Sequence, residues 1–172
     1  MKQLGLDISS ATIGYVVLED GVVIEKGHYK PKKSKVKNVN ISIAERLSST
    51  YSDMKKIIKR INPEVVCIED YARKFSAGRS SAKTIIILSC FNEVVSMACY
   101  DATSVVPIKY TVAAIRKTLG LKGKVDKKDV LNVILKHYPD FKVELNRINN
   151  TKKEIYDEAD ALAVLIHHIN KK

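Results

Sequence analysis

The chain has 172 residues, 45% hydrophobic and 28% charged, a composition typical of one folded domain rather than of a disordered chain. Thirty lysines and arginines against 19 acids give a formal net charge of +11, which favours a polyanionic partner, nucleic acid first and an anionic membrane surface second. No uninterrupted apolar run reaches the roughly 18 residues of a membrane span, and the polar start argues against a secretory signal. We therefore expect a single domain, 1–172, that stays in the cytoplasm, with no membrane partner.

The cysteines also favour a cytosolic setting. Cys67, Cys90 and Cys99 are odd in number, lie in apolar surroundings and lack the spacing of a zinc site. We expect all three to be reduced.

Three β-rich runs open the chain, at 3–8, 12–19 and 22–29. Asp20-Gly21, between the second and third runs, is a strong hairpin signal. The pattern predicts an antiparallel meander, followed by a basic linker at 31–40.

Helices and strands then alternate. Apolar residues recur at helical spacing from Ile43 to Ile61, and the run 64–70 is typical of a buried strand. A basic loop leads to a long apolar helix at 84–100, and 103–108 resembles another strand. Helices are expected near 110–119 and 127–137, with a last one ending near residue 169. The order predicts an α/β fold with a mixed five-stranded sheet, three antiparallel strands and then two parallel ones, flanked by helices.

The last helix carries carboxylates at the front of a nearly apolar run, YDEADALAVLIHHI. Thr151 and Glu154 have the spacing of a capping box, which predicts a helix start near residue 151. Asp157 and Asp160 then lie beyond the first turn, where the helix dipole no longer stabilises them. Because they are three residues apart, they project from one face.

Adjacent carboxylates at the edge of a core repel each other and lose hydration unless a cation compensates them. A divalent metal ion meets this need, and pairing with Lys152 or Lys153 is the structural alternative. Asp7 and Glu69 add two more acids, each at the end of an apolar strand run. Oxygen ligands of this kind favour hard cations such as Mg²⁺.

Two neighbouring acids are poor candidates for the same site. Asp70 follows Glu69, so a strand would direct it to the opposite face of the sheet. Glu158 is turned about 100° from Asp157 around the helix. We expect neither to bind the ion.

The motifs LGLD (ending at Asp7), CIED (containing Glu69) and DEADALA (beginning at Asp157) resemble the RuvC family of Holliday junction resolvases, within the RNase H-like superfamily. The resemblance covers nearly the whole chain and includes the order of elements. It implies an RNase H-like fold and a nuclease that cuts four-way DNA junctions as a symmetric homodimer. The helix at 84–100 resembles the family's dimer element. An ordinary core helix is the alternative, and its burial in a single chain distinguishes the two.

The resemblance also implies a catalytic tetrad of Asp7, Glu69, Asp157 and Asp160 that binds two Mg²⁺ ions, with Mn²⁺ as a substitute. Asp7 would bridge the ions, with Glu69 on one and the final pair on the other. Many bacterial members have histidine at the position of Asp157, so the all-carboxylate set should bind the second ion more strongly.

Basic residues should contact the junction, mainly through its phosphates. Lys127, or alternatively Lys128, would stabilise charge on the reacting phosphate or the nucleophilic water. A solvated surface lysine without a role in the reaction is the structural alternative. The sequence departs from the family at Ile8–Ser10, where many members have Pro-Gly after the first acid. For the aromatic residue that wedges the junction, Tyr71 and Phe75 are candidates, and neither has the family's spacing. The expected DNA-binding residues are Tyr71, Phe75, Arg73, Lys74, Arg79, Arg116, Lys117, Lys122, Lys124 and Lys128. Five lysines in the linker or just before it could line the same phosphate-binding surface: Lys30, Lys32, Lys33, Lys35 and Lys37.

Other functions stay open. An RNase H-like nuclease acting on structured RNA or an RNA–DNA hybrid would use the same metal site, whereas a non-catalytic nucleic-acid-binding protein would have purely structural acids. A sugar-kinase or actin-like ATPase begins similarly, but the chain is too short for two lobes and lacks glycine-rich phosphate loops.

Overall fold

A computed structural model describes residues 1–70, 82–146, 148 and 150–171. One five-stranded sheet lies between two helical layers. The strands are β1 (Lys2–Ile8), β2 (Ile13–Glu19), β3 (Val22–Tyr29), β4 (Val65–Asp70) and β5 (Ile108–Thr111). The helices are α1 (Val39–Ile61), α2 (Ala82–Thr103), α3 (Val112–Thr118), α4 (Lys127–His137) and α5 (Lys153–Lys171).

The sheet has the predicted mixed topology, in the order β3-β2-β1-β4-β5. The first three strands are antiparallel neighbours, and β4 is parallel to both β1 and β5. Asp20 and Gly21 join β2 to β3 with φ angles of 50° and 83°, the left-handed backbone that a tight two-residue hairpin requires. As a result, the carboxyl ends of β1, β4 and β5 meet at one edge of the sheet.

The two faces of the central strands are buried against different helices. Leu6 lies in the core formed with α1 and α2, whereas Cys67 lies in the core formed with α3, α4 and α5. Gly5 of β1 also faces α5. Because side chains alternate along a strand, Asp7 and Glu69 belong to the α5 face.

The strand predicted at 103–108 is wrong. Helix α2 continues to Thr103, and β5 begins only at Ile108, where it pairs with Cys67 of β4. Pro107 has no backbone N–H to donate to a sheet ladder, so it lies just before the strand and not within it. The β-branched pair that suggested a strand occupies the connection, where Val106 is exposed.

The capping box predicted at the start of the last helix is also wrong. Thr151 forms an isolated bridge with Leu145, and the Glu154 carboxylate pairs with Lys30 of the segment after β3. Helix α5 begins at Lys153. Asp157 nevertheless lies in the second turn, as the prediction required.

Helix α2 has the length and composition of a membrane span, and it is the one such helix in the described part of the chain. Phe91, Val95 and Cys99 pack into the core beneath the sheet. On the other side Ile86 and Met97 are 62% and 59% exposed. The helix therefore covers the sheet with one apolar face and leaves a second apolar face uncovered.

Candidate active site

A cleft of about 290 Å³ opens at the sheet edge where β1, β4 and β5 end. Helices α3, α4 and α5, together with Leu88 of α2, contribute most of the rest of its wall. Its polar lining consists of Asp7, Ser9, Glu69, Arg116, Asp126, Lys127, Asp157 and Asp160.

The cleft brings together the four acids singled out in the sequence. One carboxylate oxygen from each of Asp7, Asp157 and Asp160 lies within 4.8 Å of the other two, a spacing that suits a single cation. Glu69 faces the same cleft from the adjacent strand β4. Three or four carboxylate oxygens are the ligand type that hard divalent cations prefer. The donor set therefore fits a metal such as Mg²⁺ or Mn²⁺.

Two glycines allow α5 to approach the sheet closely enough to form this group. A Cβ atom at Gly14 of β2 would lie 2.3 Å from the carbonyl oxygen of Asp157, and one at Gly5 would lie 2.3 Å from that of Ala161. Any larger residue would therefore push the helix away. Gly14 pairs with Asp7 across β1 and β2, so the contact lies beside the metal-binding group.

The acids oppose one another's ionisation. Burial, followed by the charges of Glu69 and Asp160, raises the pKa of Asp7 well above its usual value. Burial and the charge of Asp160 raise the pKa of Glu69 to about 7, although Arg116 and Lys127 act in the opposite direction. The pKa of Asp160 is raised mainly by burial. A cation would relieve this repulsion.

Lys127 supplies part of that positive charge. Its Nζ atom donates a hydrogen bond to Oδ1 of Asp157 at 2.5 Å and lies 3.3 Å from Oδ2 of Asp160. Partial burial alone would lower the pKa of Lys127, but the bond to Asp157 and the charge of Asp160 raise it above its usual value. Of the two predicted alternatives, Lys127 faces the cleft, whereas Lys128 is exposed outside it.

A capping box holds Lys127 in place at the start of α4. The Asp126 carboxylate accepts bonds from the backbone N–H groups of Lys128 and Asp129, and the Asp129 carboxylate accepts one from the N–H of Asp126. Asp126 itself lines the cleft. The sequence analysis did not assign it, although the D-x-x-D spacing was a capping signal in the sequence.

Ser9 is a second cleft residue that the sequence analysis did not assign to the site. Its hydroxyl donates to the carbonyl oxygen of Thr12 at 2.8 Å and accepts from the Thr12 N–H at 3.0 Å. These bonds close the β1–β2 turn where the family pattern has Pro-Gly. The departure in sequence therefore leaves a compact turn beside Asp7.

The expected DNA-binding residues fall into three groups. Arg116 lines the cleft and lowers the pKa of Glu69. Four others are exposed on the surface of α3, α4 and their connection: Lys117, Lys122, Lys124 and Lys128. The remaining five lie outside the described residues: Tyr71, Arg73, Lys74, Phe75 and Arg79.

The two acids that the analysis set aside lie elsewhere. Asp70 follows Glu69 on the opposite face of β4 and is buried. Glu158 is buried on another side of α5, where it pairs with residues of β3. Neither lines the cleft.

Comparison with known proteins is consistent with this geometry. The family model described as crossover junction endodeoxyribonuclease RuvC matches residues 3–168. The chain belongs to the RuvC family. A relative of that name from Prochlorococcus marinus strain MIT 9301 is 27% identical over 180 residues, covering 99% of this chain and 98% of the relative. Another, from Fusobacterium nucleatum, is 27% identical over 174 residues, covering 99% and 80%.

Solved structures share the RuvC fold. Thermus thermophilus RuvC in complex with a Holliday junction substrate superposes with a TM-score of 0.69 at 16% identity, covering 98% of this chain and 92% of the other. The yeast mitochondrial Holliday junction resolvase Ydc2 gives 0.60 at 13% identity, covering 96% and 76%. The RNase H-like sheet flanked by helices is thus confirmed.

Proposed function

We propose that this protein is a structure-selective endonuclease that resolves four-way DNA junctions by metal-dependent hydrolysis of phosphodiester bonds. The observation that carries the proposal is the Asp7, Asp157 and Asp160 group, in a cleft with Glu69, within a chain that matches the RuvC family along its length.

The four acids would hold two Mg²⁺ ions, for which Mn²⁺ is the expected substitute. Asp7 lies between the two sides of the cleft, with Glu69 on β4 and the Asp157 and Asp160 pair on α5. When bound, a pair of ions supplies an activated water and stabilises charge on the attacking and leaving oxygens. The repulsion among the buried carboxylates, which helps to raise their pKa values, is the interaction that such ions would remove.

The protein's own cations would act on the phosphate. Lys127 and Arg116 place positive charge on two sides of the cleft, where a scissile phosphate would lie beside the acids. Prepositioned charges of this kind stabilise a transition state more than a ground state. The exposed lysines of α3 and α4 would bind neighbouring phosphates, and this binding should weaken steeply with salt.

Two symmetric cuts require two cleavage sites, so we infer a homodimer with two-fold symmetry. The uncovered face of α2 is suited to this role. Ile86, Cys90, Met97 and Tyr100 are separated by four, seven and three residues, which places them in one stripe along the helix. Three of these four side chains are more than half exposed in the single chain. A second copy would cover them.

Cleavage of matched substrates tests the proposed function. We expect nicking of a four-way DNA junction in Mg²⁺, little cleavage of linear duplex DNA, and loss of nicking with Asp7→Asn. Asn is nearly isosteric with Asp, so circular dichroism should show that the variant is folded.

An RNA–DNA hybrid and a structured RNA serve as competing substrates. Cleavage of either one without cleavage of the junction would assign the same site to an RNase H-type activity. Tight junction binding with no cleavage in Mg²⁺ or Mn²⁺ would contradict any nuclease function and favour a non-catalytic binding protein.

A further inference from the structure

The rotation of α5 about its own axis decides whether Asp157 and Asp160 face Asp7. Apolar packing specifies this rotation poorly, because six consecutive residues, 161–166, are buried and thus surround the helix with apolar side chains. Two of these six residues, Ala161 and Ala163, are alanines, which offer few distinctive shapes for packing. The close approach of α5 to Gly5 and Gly14 limits its rotation, and polar contacts add to the selection of one orientation.

Such contacts lie on the side of α5 that faces away from the cleft. The Glu158 side chain is only 4% exposed and accepts a hydrogen bond from Nζ of Lys26 at 2.5 Å. Its other carboxylate oxygen lies 3.1 Å from Nδ1 of His28. Lys26 and His28 are two residues apart on β3, so their side chains project from the same face of the sheet, the face that packs on α5.

The surroundings of this contact restrict its movement. The Lys26 side chain is 16% exposed, and its ammonium lies 5.0 Å from the centre of the buried Phe141 ring. One turn earlier on α5, Glu154 pairs with Lys30. Glu154 and Glu158, one turn apart on α5, thus contact Lys26, His28 and Lys30 of β3 and the segment after it. These contacts restrict both the rotation of α5 about its axis and its sliding along that axis.

We infer that Glu158 is a positioning residue, whose ion pair with Lys26 and contact with His28 orient α5 so that Asp157 and Asp160 meet Asp7 in the metal-binding group. The inference rests on the proposed function, because it assigns Glu158 a role in the same cation site. Glu158 does not line the cleft and would act through Asp157 and Asp160 on the same helix.

A buried ion pair is well suited to this role and poorly suited to adding net stability. The desolvation of two charges offsets much of their attraction, and apolar replacement of a whole pair is often neutral or stabilising. Removing only one partner leaves a buried charge uncompensated. Comparison of single and double substitutions can therefore separate an effect on the position of α5 from an effect on the stability of the fold.

The test measures Mn²⁺ binding by electron paramagnetic resonance in the absence of DNA, together with thermal unfolding. Glu158→Gln and the double variant Lys26→Met with Glu158→Leu should each bind Mn²⁺ about tenfold more weakly than wild type, the size of effect typical of residues that orient metal ligands. The double variant should keep a wild-type melting temperature. Glu144→Gln removes the exposed pair with Lys152 near the same helix and should leave Mn²⁺ affinity unchanged.

Junction cleavage supplies an independent measurement. Because the exposed DNA-binding lysines lie on other elements, Glu158→Gln should lower kcat and leave KM within about twofold. Wild-type Mn²⁺ affinity in the double variant would overturn the inference and leave the nuclease assignment intact. A wild-type protein that binds Mn²⁺ but leaves junctions uncut would instead contradict the proposed function, while the Mn²⁺ comparison would still test Glu158.

Discussion

Lys127 shows how a single side chain affects the metal site before any ion is bound. Its ammonium contacts both aspartates of α5, Asp157 and Asp160, which lie 30 and 33 residues further along the chain. It therefore occupies space in which a cation would lie and reduces repulsion between the carboxylates. In the proposed reaction the same charge would stabilise the phosphate, so the side chain would act twice.

Replacement of Lys127 separates these two effects. Lys127→Met should increase Mn²⁺ affinity severalfold, because an ion would no longer compete with the ammonium for Asp157 and Asp160. The cleavage rate at saturating Mg²⁺ should fall on the order of 10²-fold, as expected for removal of one transition-state contact. Metal titration and single-turnover kinetics measure the two quantities. Lys128→Met is the matched control, and equal effects of the two substitutions would contradict the assignment of Lys127.

The element that decides the site is α5, which meets the sheet through backbone contacts. Gly14 and Gly5 let the carbonyl oxygens of Asp157 and Ala161 approach strand backbones that any side chain would cover. Strands interrupted by glycine lose packing area. Here that loss is compensated by the close fit of the helix.

A methyl group at Gly14 should displace α5 near the acids. Gly14→Ala should destabilise the fold by about 1–3 kcal/mol, the usual cost of overpacking, and should weaken Mn²⁺ binding. Gly21→Ala is a suitable control, because its added methyl meets no neighbour and only the left-handed backbone, φ 83°, is strained. Chemical denaturation and metal titration compare the two. Equal Mn²⁺ affinity in both variants would argue against the α5 contact as a determinant of the site.

At the scale of the whole molecule, the repelling carboxylates link stability to pH and to metal. Folding raises the pKa values of Asp7, Glu69 and Asp160, so the folded state binds more protons than the unfolded state between their ordinary and raised values. Stability contributed by these groups is therefore present at low pH and lost as pH rises. Burial lowers the pKa of His167 from 6.5, which acts in the opposite direction below that pH.

From pH 6.5 to 8 the carboxylates should dominate, since the pKa of Glu69 is about 7 and that of Asp7 is strongly raised, while the opposing effect of His167 fades as the pH rises above 6.5. The melting temperature of the metal-free protein should fall by a few degrees across this interval. Added Mg²⁺ should raise it, and more so at pH 8, because protons compete with the ion. Differential scanning calorimetry with EDTA or Mg²⁺ measures both effects. Asp7→Asn should flatten the metal-free profile, and a melting temperature that rises with pH would contradict this account.

The proposed dimer is also a property of the whole molecule. Met97→Glu puts a charge in the centre of the exposed α2 stripe and should convert the dimer to a monomer in sedimentation velocity experiments. Val22→Glu changes a similarly exposed apolar residue on β3 and should leave the dimer intact. A wild-type monomer at micromolar concentration would contradict this interface.

Local patterns predicted much of the fold, and their failures have physical explanations. The alternation around Leu6 and the hairpin signal at Asp20-Gly21 depend on backbone geometry that neighbouring residues impose, so the meander was predictable. The strand β5 begins at Ile108, the last residue of the predicted strand, because Pro107 has no N–H to donate and Ile108 pairs with Cys67 of β4. Thr151 bridged to Leu145 and did not cap α5, because the chain before the helix folds back on itself.

The candidate site, like the fold, could be predicted only in part from the sequence. The four acids could be identified from the sequence, because carboxylates at the ends of apolar strands and inside an apolar helix are costly without a cation. Three contacts became visible once the elements were packed together: Lys127 with Asp157 and Asp160, Gly14 with the backbone of α5, and Glu158 with Lys26. These contacts join residues 30, 143 and 132 positions apart. Helix and strand periodicities act over a few residues, whereas such contacts depend on how the finished elements pack.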